Sequence, residues 1–178
     1  MRNTWTTLQQ EIFRALCLTS GSRINQRALA AKLGVTPAAV SRALPLLVEE
    51  GLVDIKGHGT MNLKEIELKR EDRRAIQLKR VENLRQLYLT GCADFLAETY
   101  AGCAIVLFGS YSSGEDTVTS DIDIAVIGAK EKKMDLSRYE KQLGRPLRLM
   151  HLRSLADVSK EFRESLFNGI VLEGSITL

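Results

Sequence analysis

Between Thr4 and Leu18 the apolar side chains Leu8, Ile12 and Leu16, with Trp5 and Phe13 beside them, recur at the three-to-four-residue spacing of one helix face. This predicts a first amphipathic helix ending near Ser20-Gly21-Ser22. Asn25 then stands as an N-cap, and Gln26 to Leu33 predicts a short second helix. Gly34-Val35 makes a turn, Thr36 caps the next segment, and Pro37 falls in the first helical turn, where its missing N–H is harmless. A third helix is expected from Pro37 to about Glu50, burying Val40, Leu44, Leu47 and Val48 and stopped by Gly51. Pro45 lies inside it and should bend or weaken it, at a cost of roughly 3 kcal/mol in an unrelieved interior.

Two short segments, Leu52 to Lys56 and Met61 to Ile66, read as a strand hairpin around Gly57-His58-Gly59-Thr60. In residues 67–90, Leu68, Ile76, Leu78, Val81, Leu84, Leu87 and Tyr88 recur among many charges, which predicts a long helix broken at Thr90-Gly91. Another helix covers Cys92 to about Tyr100. The apolar runs Ala104 to Phe108 and Ile124 to Ile127 read as strands flanking a polar stretch. Helices over Asp135 to Leu143 and Leu155 to Phe167 enclose a strand at Leu147 to Leu152, with Val158, Phe162, Leu166 and Phe167 expected inward. The end, Ile170 to Leu178, reads as a strand pair or strand end. The chain length of 178 residues has room for two small domains. The pattern predicts a mostly α front with a β hairpin (residues 1–66), a helical connector (residues 67–100) and an α+β domain with a small mixed sheet (residues 101–178).

Composition is that of an ordinary soluble globular protein, 44% hydrophobic and 26% charged. No run of about 18 apolar residues exists to span a membrane, and the first residues lack the apolar core of a signal peptide, so a cytoplasmic protein with no membrane partner is expected. Cys17, Cys92 and Cys103 are far apart, without metal-ligand spacing, and read as buried free thiols. Net charge is only +3, but residues 1–100 hold 15 Lys and Arg against 11 Asp and Glu, a modest excess compatible with a polyanion partner.

The string Leu29-Ala30-Ala31-Lys32-Leu33-Gly34-Val35-Thr36-Pro37-Ala38-Ala39-Val40-Ser41-Arg42-Ala43-Leu44, continued by Val48-Glu49-Glu50-Gly51-Leu52-Val53, resembles the recognition segment and wing start of winged helix-turn-helix transcription regulators. The resemblance implies binding of double-stranded DNA, with the third helix in the major groove presenting Thr36, Ala38, Ala39, Ser41 and Arg42. Arg42 would read a guanine edge and Ser41 a phosphate or base, while Lys56 and His58 on the wing would reach phosphate or the minor groove. Such regulators usually act in pairs, so a homodimer is expected, with the connector helix as a candidate interface.

The chemistry of the second half concentrates in Gly109-Ser110-Tyr111-Ser112-Ser113-Gly114-Glu115-Asp116-Thr117-Val118-Thr119-Ser120-Asp121-Ile122-Asp123. Alternation along a strand puts Asp121 and Asp123 on one face and Ile122 and Ile124 on the other, so the two carboxylates converge. Their repulsion calls for a cation or basic side chains. This run resembles the signature of minimal nucleotidyltransferases of the DNA polymerase beta superfamily: Gly-Ser at the end of one strand, a loop, then Asp-apolar-Asp on the next. The resemblance implies that Gly109 and Ser110 touch a nucleoside triphosphate, and that Asp121 and Asp123 are the catalytic pair and coordinate magnesium or manganese.

Active members of that family carry a third carboxylate on a later strand. No acid occurs here between Glu140 and Asp157, and the expected position falls on Arg148, which would instead hold nucleotide phosphates as a fixed charge. A one-residue register slip would move Arg148 to the other face, and His151, Glu115, Asp116 or a partner protein stand as substitutes for the missing acid. A DNA-binding regulator whose nucleotide domain binds NTP and magnesium with impaired catalysis is the reading adopted. An active nucleotidyltransferase moving a nucleoside monophosphate to a protein or small-molecule hydroxyl is the alternative, and an antitoxin-like nucleotidyltransferase a weaker one.

Overall fold

The computed structural model describes residues 4–57 and 64–176, and the chain separates into two compact units that meet in sequence between Lys79 and Arg80. In the first unit come α1 (Thr7–Leu18), β1 (Ile24–Asn25), α2 (Gln26–Leu33), α3 (Pro37–Glu49), β2 (Val53–Gly57) and β3 (Lys64–Leu68). Helix α1 starts three residues later than its periodicity suggests because Thr6 caps it. The Thr6 hydroxyl accepts from the Gln9 N–H and the Gln9 amide oxygen accepts from the Thr6 N–H, a reciprocal box that satisfies two orphan donors. Asn25 and Thr36 cap α2 and α3 as expected, accepting from the backbone N–H of Ala28 and Ala39 at 2.8 and 3.2 Å.

Helix α3 stays continuous through Pro45. It ends where Gly51 adopts a left-handed φ of +74°, so that the N–H groups of Gly51 and Leu52 turn back onto the carbonyls of Val48 and Leu47. Val48, expected in the core, is 40% exposed; the buried stripe of α3 is completed by Ala43 instead. That stripe packs with Ile12, Leu16 and Leu29 over a three-stranded antiparallel sheet of order β1-β3-β2, whose Leu52, Val53, Ile66 and Leu68 close the core. Strand β1 has two residues, too few for any alternation to announce it, and pairs Ile24 with Ile66. The expected hairpin tip, including His58, lies outside the described residues.

Polar groups tie this unit at its rim. Trp5 Nε1 donates to Glu50 Oε2 at 3.0 Å, and Arg74 Nη2 meets the same oxygen at 2.9 Å. On the sheet, Arg23 bridges Glu65 and Glu67 at 3.3 and 3.1 Å, and Lys56 Nζ lies 2.6 Å from Glu67 Oε1. Lys56, ahead of Arg23, holds the Glu67 carboxyl below the ordinary carboxylate range. Helix α4 (Arg73–Leu89) begins six residues later than the apolar pattern suggested, since β3 runs on to Leu68 and Asp72 caps the start through bonds to the N–H groups of Arg74 and Ala75. It starts in the first unit and ends in the second.

The second unit contains α5 (Cys92–Thr99), β4 (Ala104–Phe108), α6 (Gly109–Ser113), β5 (Ile122–Ile127), α7 (Ser137–Leu143), β6 (Leu147–Leu152), a 3-10 turn (Leu155–Asp157), α8 (Lys160–Phe167) and β7 (Ile170–Glu173). Its sheet has the order β6-β5-β4-β7 and is mixed: β4 is antiparallel to β5 and β7, while β5 and β6 run parallel. One face, with Ile105, Leu107, Ile122, Ile124 and Val126, is covered by Leu96, Tyr100, Tyr111 and Tyr139. The other, with Val106, Phe108 and Ala125, is covered by Leu155, Phe162 and Leu166. The helix expected from Leu155 to Phe167 is divided, because Ser159 caps a fresh helix by accepting from the Phe162 N–H, and Phe167 is 47% exposed instead of inward.

Cys17 and Cys92 are buried and Cys103 is partly buried, and none of the three is in a disulfide. Burial pushes the Cys92 thiol up to about 11, so it stays protonated and inert at neutral pH. Among the described residues no helix is long and apolar enough to cross a membrane.

Candidate functional site

The sheet of the second unit sets one rung of neighbours across three strands: Phe108 pairs with Asp123, and Asp123 pairs with Arg148. Residues paired in this way project from the same face, so Asp123 and Arg148 stand side by side at one end of the sheet. Asp121, two residues earlier, lies 2.9 Å through Oδ2 from Arg148 Nη2. Asp121, Asp123 and Arg148 are therefore brought together. Burial raises the Asp123 carboxyl above the ordinary aspartate range; Asp121 adds to the rise and Arg148 opposes it.

The chain reverses out of β4 at Gly109, which has a left-handed φ of +72° and presses against Asp123: a Cβ there would lie 2.8 Å from Asp123 Oδ2. The backbone conformation therefore favours glycine, and any side chain there would have to push the Asp123 carboxylate aside. The Ser112 and Ser113 hydroxyls fasten the short helix α6 by donating to the carbonyls of Gly109 and Ser110 at 2.8 and 3.0 Å. Gly109 and Ser110 are half-buried at the mouth of the aspartate pair. Gly109→Ala is expected to displace the Asp123 carboxylate and to cost about 1–3 kcal/mol for its strained backbone. Urea unfolding measures that cost, and a loss below about 0.5 kcal/mol would contradict it.

Behind the site lies a buried network that the sequence reading did not find. Asp116, in the loop before β5, is fully buried, and its Oδ2 is 3.0 Å from Nη2 of the equally buried Arg145. Asn83 of α4 donates to Asp116 Oδ1 at 2.6 Å and to the Tyr111 carbonyl at 2.9 Å. One residue past Arg145, Pro146 accepts at its carbonyl from the Ile122 N–H, and Glu140 Oε1 accepts from the Leu147 N–H at 2.9 Å. The loop that delivers Asp121 and the turn that delivers Arg148 are thus held to each other. Arg145 stands between Gly144 and Pro146, both turn-forming residue types. Its partner 29 positions earlier carried no local signal.

The other substitutes for a third acid are engaged with other partners. His151 pairs with Val126 on the opposite face of the sheet and lies 2.6 Å through Nε2 from the Tyr100 hydroxyl. Asp116 is committed to Arg145 and Asn83, and Glu115, exposed, accepts from the Ser113 hydroxyl at 3.1 Å. Among the described residues no group of three or more His, Cys, Asp and Glu side chains is gathered as a metal site. Carboxylate oxygens are the donors that a hard cation prefers, and the sheet end offers two such groups, Asp121 and Asp123. Burial is the main cause of the raised Asp123 carboxyl, and a cation there would offset the cost of charging it.

In the first unit, Thr36, Ala38, Ser41 and Arg42 are exposed along the first turns of α3, and Ala39 is half-buried. Lys56 is exposed on β2 but engaged with Glu67. Exposure on the amino-terminal part of the second helix of a helix-turn-helix is what groove reading requires.

Comparison with known proteins agrees with both halves. Residues 14–54 match the family described as winged helix-turn-helix DNA-binding, and residues 92–174 match the family described as polymerase beta, nucleotidyltransferase. Among solved structures, the chain is similar to the adhesin competence repressor AdcR of Streptococcus pyogenes, at 18% identity and a TM-score of 0.42 over 55% of this chain and 69% of that one. It is also similar to a point mutant of Lactococcus lactis ZitR, at 19% identity and a TM-score of 0.41 over 55% of this chain and 64% of that one. No curated protein matches the chain.

Proposed function

We propose that this chain, in which a winged helix-turn-helix domain is joined to a polymerase beta nucleotidyltransferase domain, is a transcriptional regulator that acts in the cytoplasm as a homodimer. Its second domain binds a nucleoside triphosphate with magnesium, and its catalysis is impaired. The observation that carries this reading is Arg148: it pairs in register with Asp123 and sits 2.9 Å from Asp121, a fixed positive charge beside the only two carboxylates of the site among the described residues.

Each side chain has a distinct part. Gly109 lets the backbone approach a phosphate closely, and Ser110 offers its hydroxyl and N–H to the triphosphate. Arg148 supplies donors in a planar fork suited to phosphate oxygens, and leaves Asp121 for them when nucleotide enters. Asp121 and Asp123 would hold magnesium, or manganese, and the ion would supply charge to neutralise phosphate. A hydroxyl attacking the alpha phosphorus needs a group to take its proton, and among the described residues no third carboxylate is gathered with Asp121 and Asp123 to do so. Binding without turnover follows. On the DNA side Arg42 reads a base edge, Ser41 a phosphate or base, and Thr36, Ala38, Ala39, Lys56 and His58 line the approach.

Incubation of the pure protein with each alpha-labelled NTP and magnesium tests this directly. Retained nucleotide that is lost in Asp123→Asn, with no pyrophosphate released, is the expected outcome. Aspartate-dependent pyrophosphate release would instead make the protein an active nucleotidyltransferase, and absence of retained nucleotide would remove the nucleotide role.

Asp123→Asn carries a second expectation. A carboxyl whose folded value is raised is favoured protonated in the folded state, so its stabilising share is present below the unfolded value and disappears as pH rises through the folded value. At neutral pH Asp123 is thus a net liability to stability, and Asp123→Asn should melt higher than wild type at pH 7 and lose that advantage in acid. A lower melting temperature at pH 7 would contradict the electrostatics of the site.

For the DNA-binding half, Arg42→Ala should weaken specific operator binding by about 1–3 kcal/mol while leaving non-specific binding less affected. Operators selected from random sequence and compared by gel shift measure both; an equal loss on all sequences would make Arg42 a phosphate contact.

A further inference from the structure

The sheet of the second unit has a second concave surface on the face turned away from the aspartates. Leu149 and His151 alternate with Arg148 along β6 and project to the opposite side, where they meet Ala129, Lys130, Glu131 and Arg153 around a hollow of about 540 Å³. That volume is within the range of roughly 300–1,000 Å³ common for small-molecule sites. Three of its six lining residues are Lys, His and Arg against a single Glu, and Ala129 and Leu149 supply an apolar floor. Among the described residues no ion pair engages Lys130 or Arg153, both of which are exposed.

His151 is fixed in orientation. Its Nε2 lies 2.6 Å from the hydroxyl of Tyr100, which is almost fully buried and which burial keeps protonated. That contact engages Nε2, and Nδ1 is the ring's second nitrogen, the one that can donate to an anion when the phenol donates to Nε2. The arrangement is stiffened from behind: Lys132 Nζ donates to the Thr99 carbonyl at 2.6 Å and lies 5.0 Å from the centre of the Tyr100 ring. Burying Tyr100 and bonding it to His151 does nothing for the aspartate site, from which the sheet separates them.

We propose that this hollow is a second binding site, for a phosphate-bearing small molecule of about mononucleotide size. Lys130 and Arg153 provide the charge, His151 a directed hydrogen bond, Leu149 and Ala129 the surface for the non-phosphate part, and Glu131 a bar to ligands with further negative charge on its side. Because β6 carries Arg148 on one face and His151 on the other, the two sites share a strand but no side chain.

The test is calorimetric titration of the full-length protein with inorganic phosphate and, separately, with adenosine and uridine monophosphates in the absence of divalent metal. The wild type is compared with Lys130→Ala/Arg153→Ala, with His151→Gln and with Asp123→Asn. Affinity for at least one of the three probes is expected to fall tenfold or more in the Lys130→Ala/Arg153→Ala protein and to persist in Asp123→Asn. Tighter binding of a monophosphate than of free phosphate supports the proposal; equal affinity for all three probes would overturn it, because Leu149 and Ala129 would then hold no part of the ligand. Loss in Asp123→Asn with retention in Lys130→Ala/Arg153→Ala would overturn it, because the aspartate site would then be the sole binder. Absence of heat with all three probes at millimolar concentration would overturn it as well. Magnesium-dependent retention of NTP at Asp121 and Asp123 is read separately, in the alpha-labelled assay.

Discussion

Asp116→Ala is expected to destabilise the second unit by about 3–5 kcal/mol, because it leaves the buried Arg145 guanidinium without its carboxylate. Removing one member of a buried ion pair costs more than the pair is worth, since the charge left behind has lost both its partner and its water. Arg145→Ala should cost as much for the reciprocal reason. The double variant Asp116→Leu/Arg145→Met, which removes both charges while keeping volume, should recover most of the loss. Trp5, the sole tryptophan, belongs to the first unit, so tryptophan fluorescence would report the wrong transition. Hydrogen exchange of β4 and β5 in rising urea reads the right one. A loss below about 1 kcal/mol would place the pair with solvated surface bridges and deny it the role of clamp.

The opposite kind of effect is expected from Arg148→Asp. That residue is the lateral neighbour of Asp123, so the substitution places a third carboxylate beside Asp121 and Asp123 and removes the guanidinium that partly neutralises them. Without a divalent ion the variant should be less stable than wild type, because three close carboxylates repel. With magnesium it should gain thermal stability, since a ligand bound by the folded state alone stabilises it by mass action. If the missing acid is what impairs catalysis, pyrophosphate release from NTP should rise by on the order of 10²-fold, the usual contribution of one positioned general base. The magnesium-dependent shift and the pyrophosphate assay are independent readouts. A variant that shows neither would mean that Arg148 does not stand where a third carboxylate acts.

Much of this layout is legible in the sequence where the signal is local. Asn25, Thr36-Pro37 and Gly51 mark helix boundaries because each satisfies or releases backbone groups within three residues of itself, and the structure has all three. The convergence of Asp121 and Asp123 follows from strand alternation alone. Arg148 required the strand register, which a single sequence leaves free to slip by one residue. What stays hidden is long-range or very short. The bond between Asp116 and Arg145 joins two surface-type residues with no periodicity linking them. Strand β1 offers two residues, and α6 reads as loop because Gly109-Ser110-Tyr111-Ser112-Ser113 is held by serine hydroxyls more than by helix propensity. Ser159 divides the final helix by capping, where the apolar pattern ran straight through it.

The acidic pair on β3 changes what the wing can contribute to binding a polyanion. Lys56 already lies 2.6 Å from Glu67, and Arg23 spans Glu65 and Glu67. A phosphate that draws Lys56 away must leave Glu67 facing the duplex, so the contact displaces an internal carboxylate where an unpaired lysine would displace condensed sodium ions. Each phosphate neutralised by an unpaired lysine adds about 0.9 to the slope of log affinity against log salt. On the proposed reading the increment from Lys56 is smaller, and the ionic-strength dependence of operator binding is expected to rest more on Arg42 and its neighbours on α3 than on Lys56.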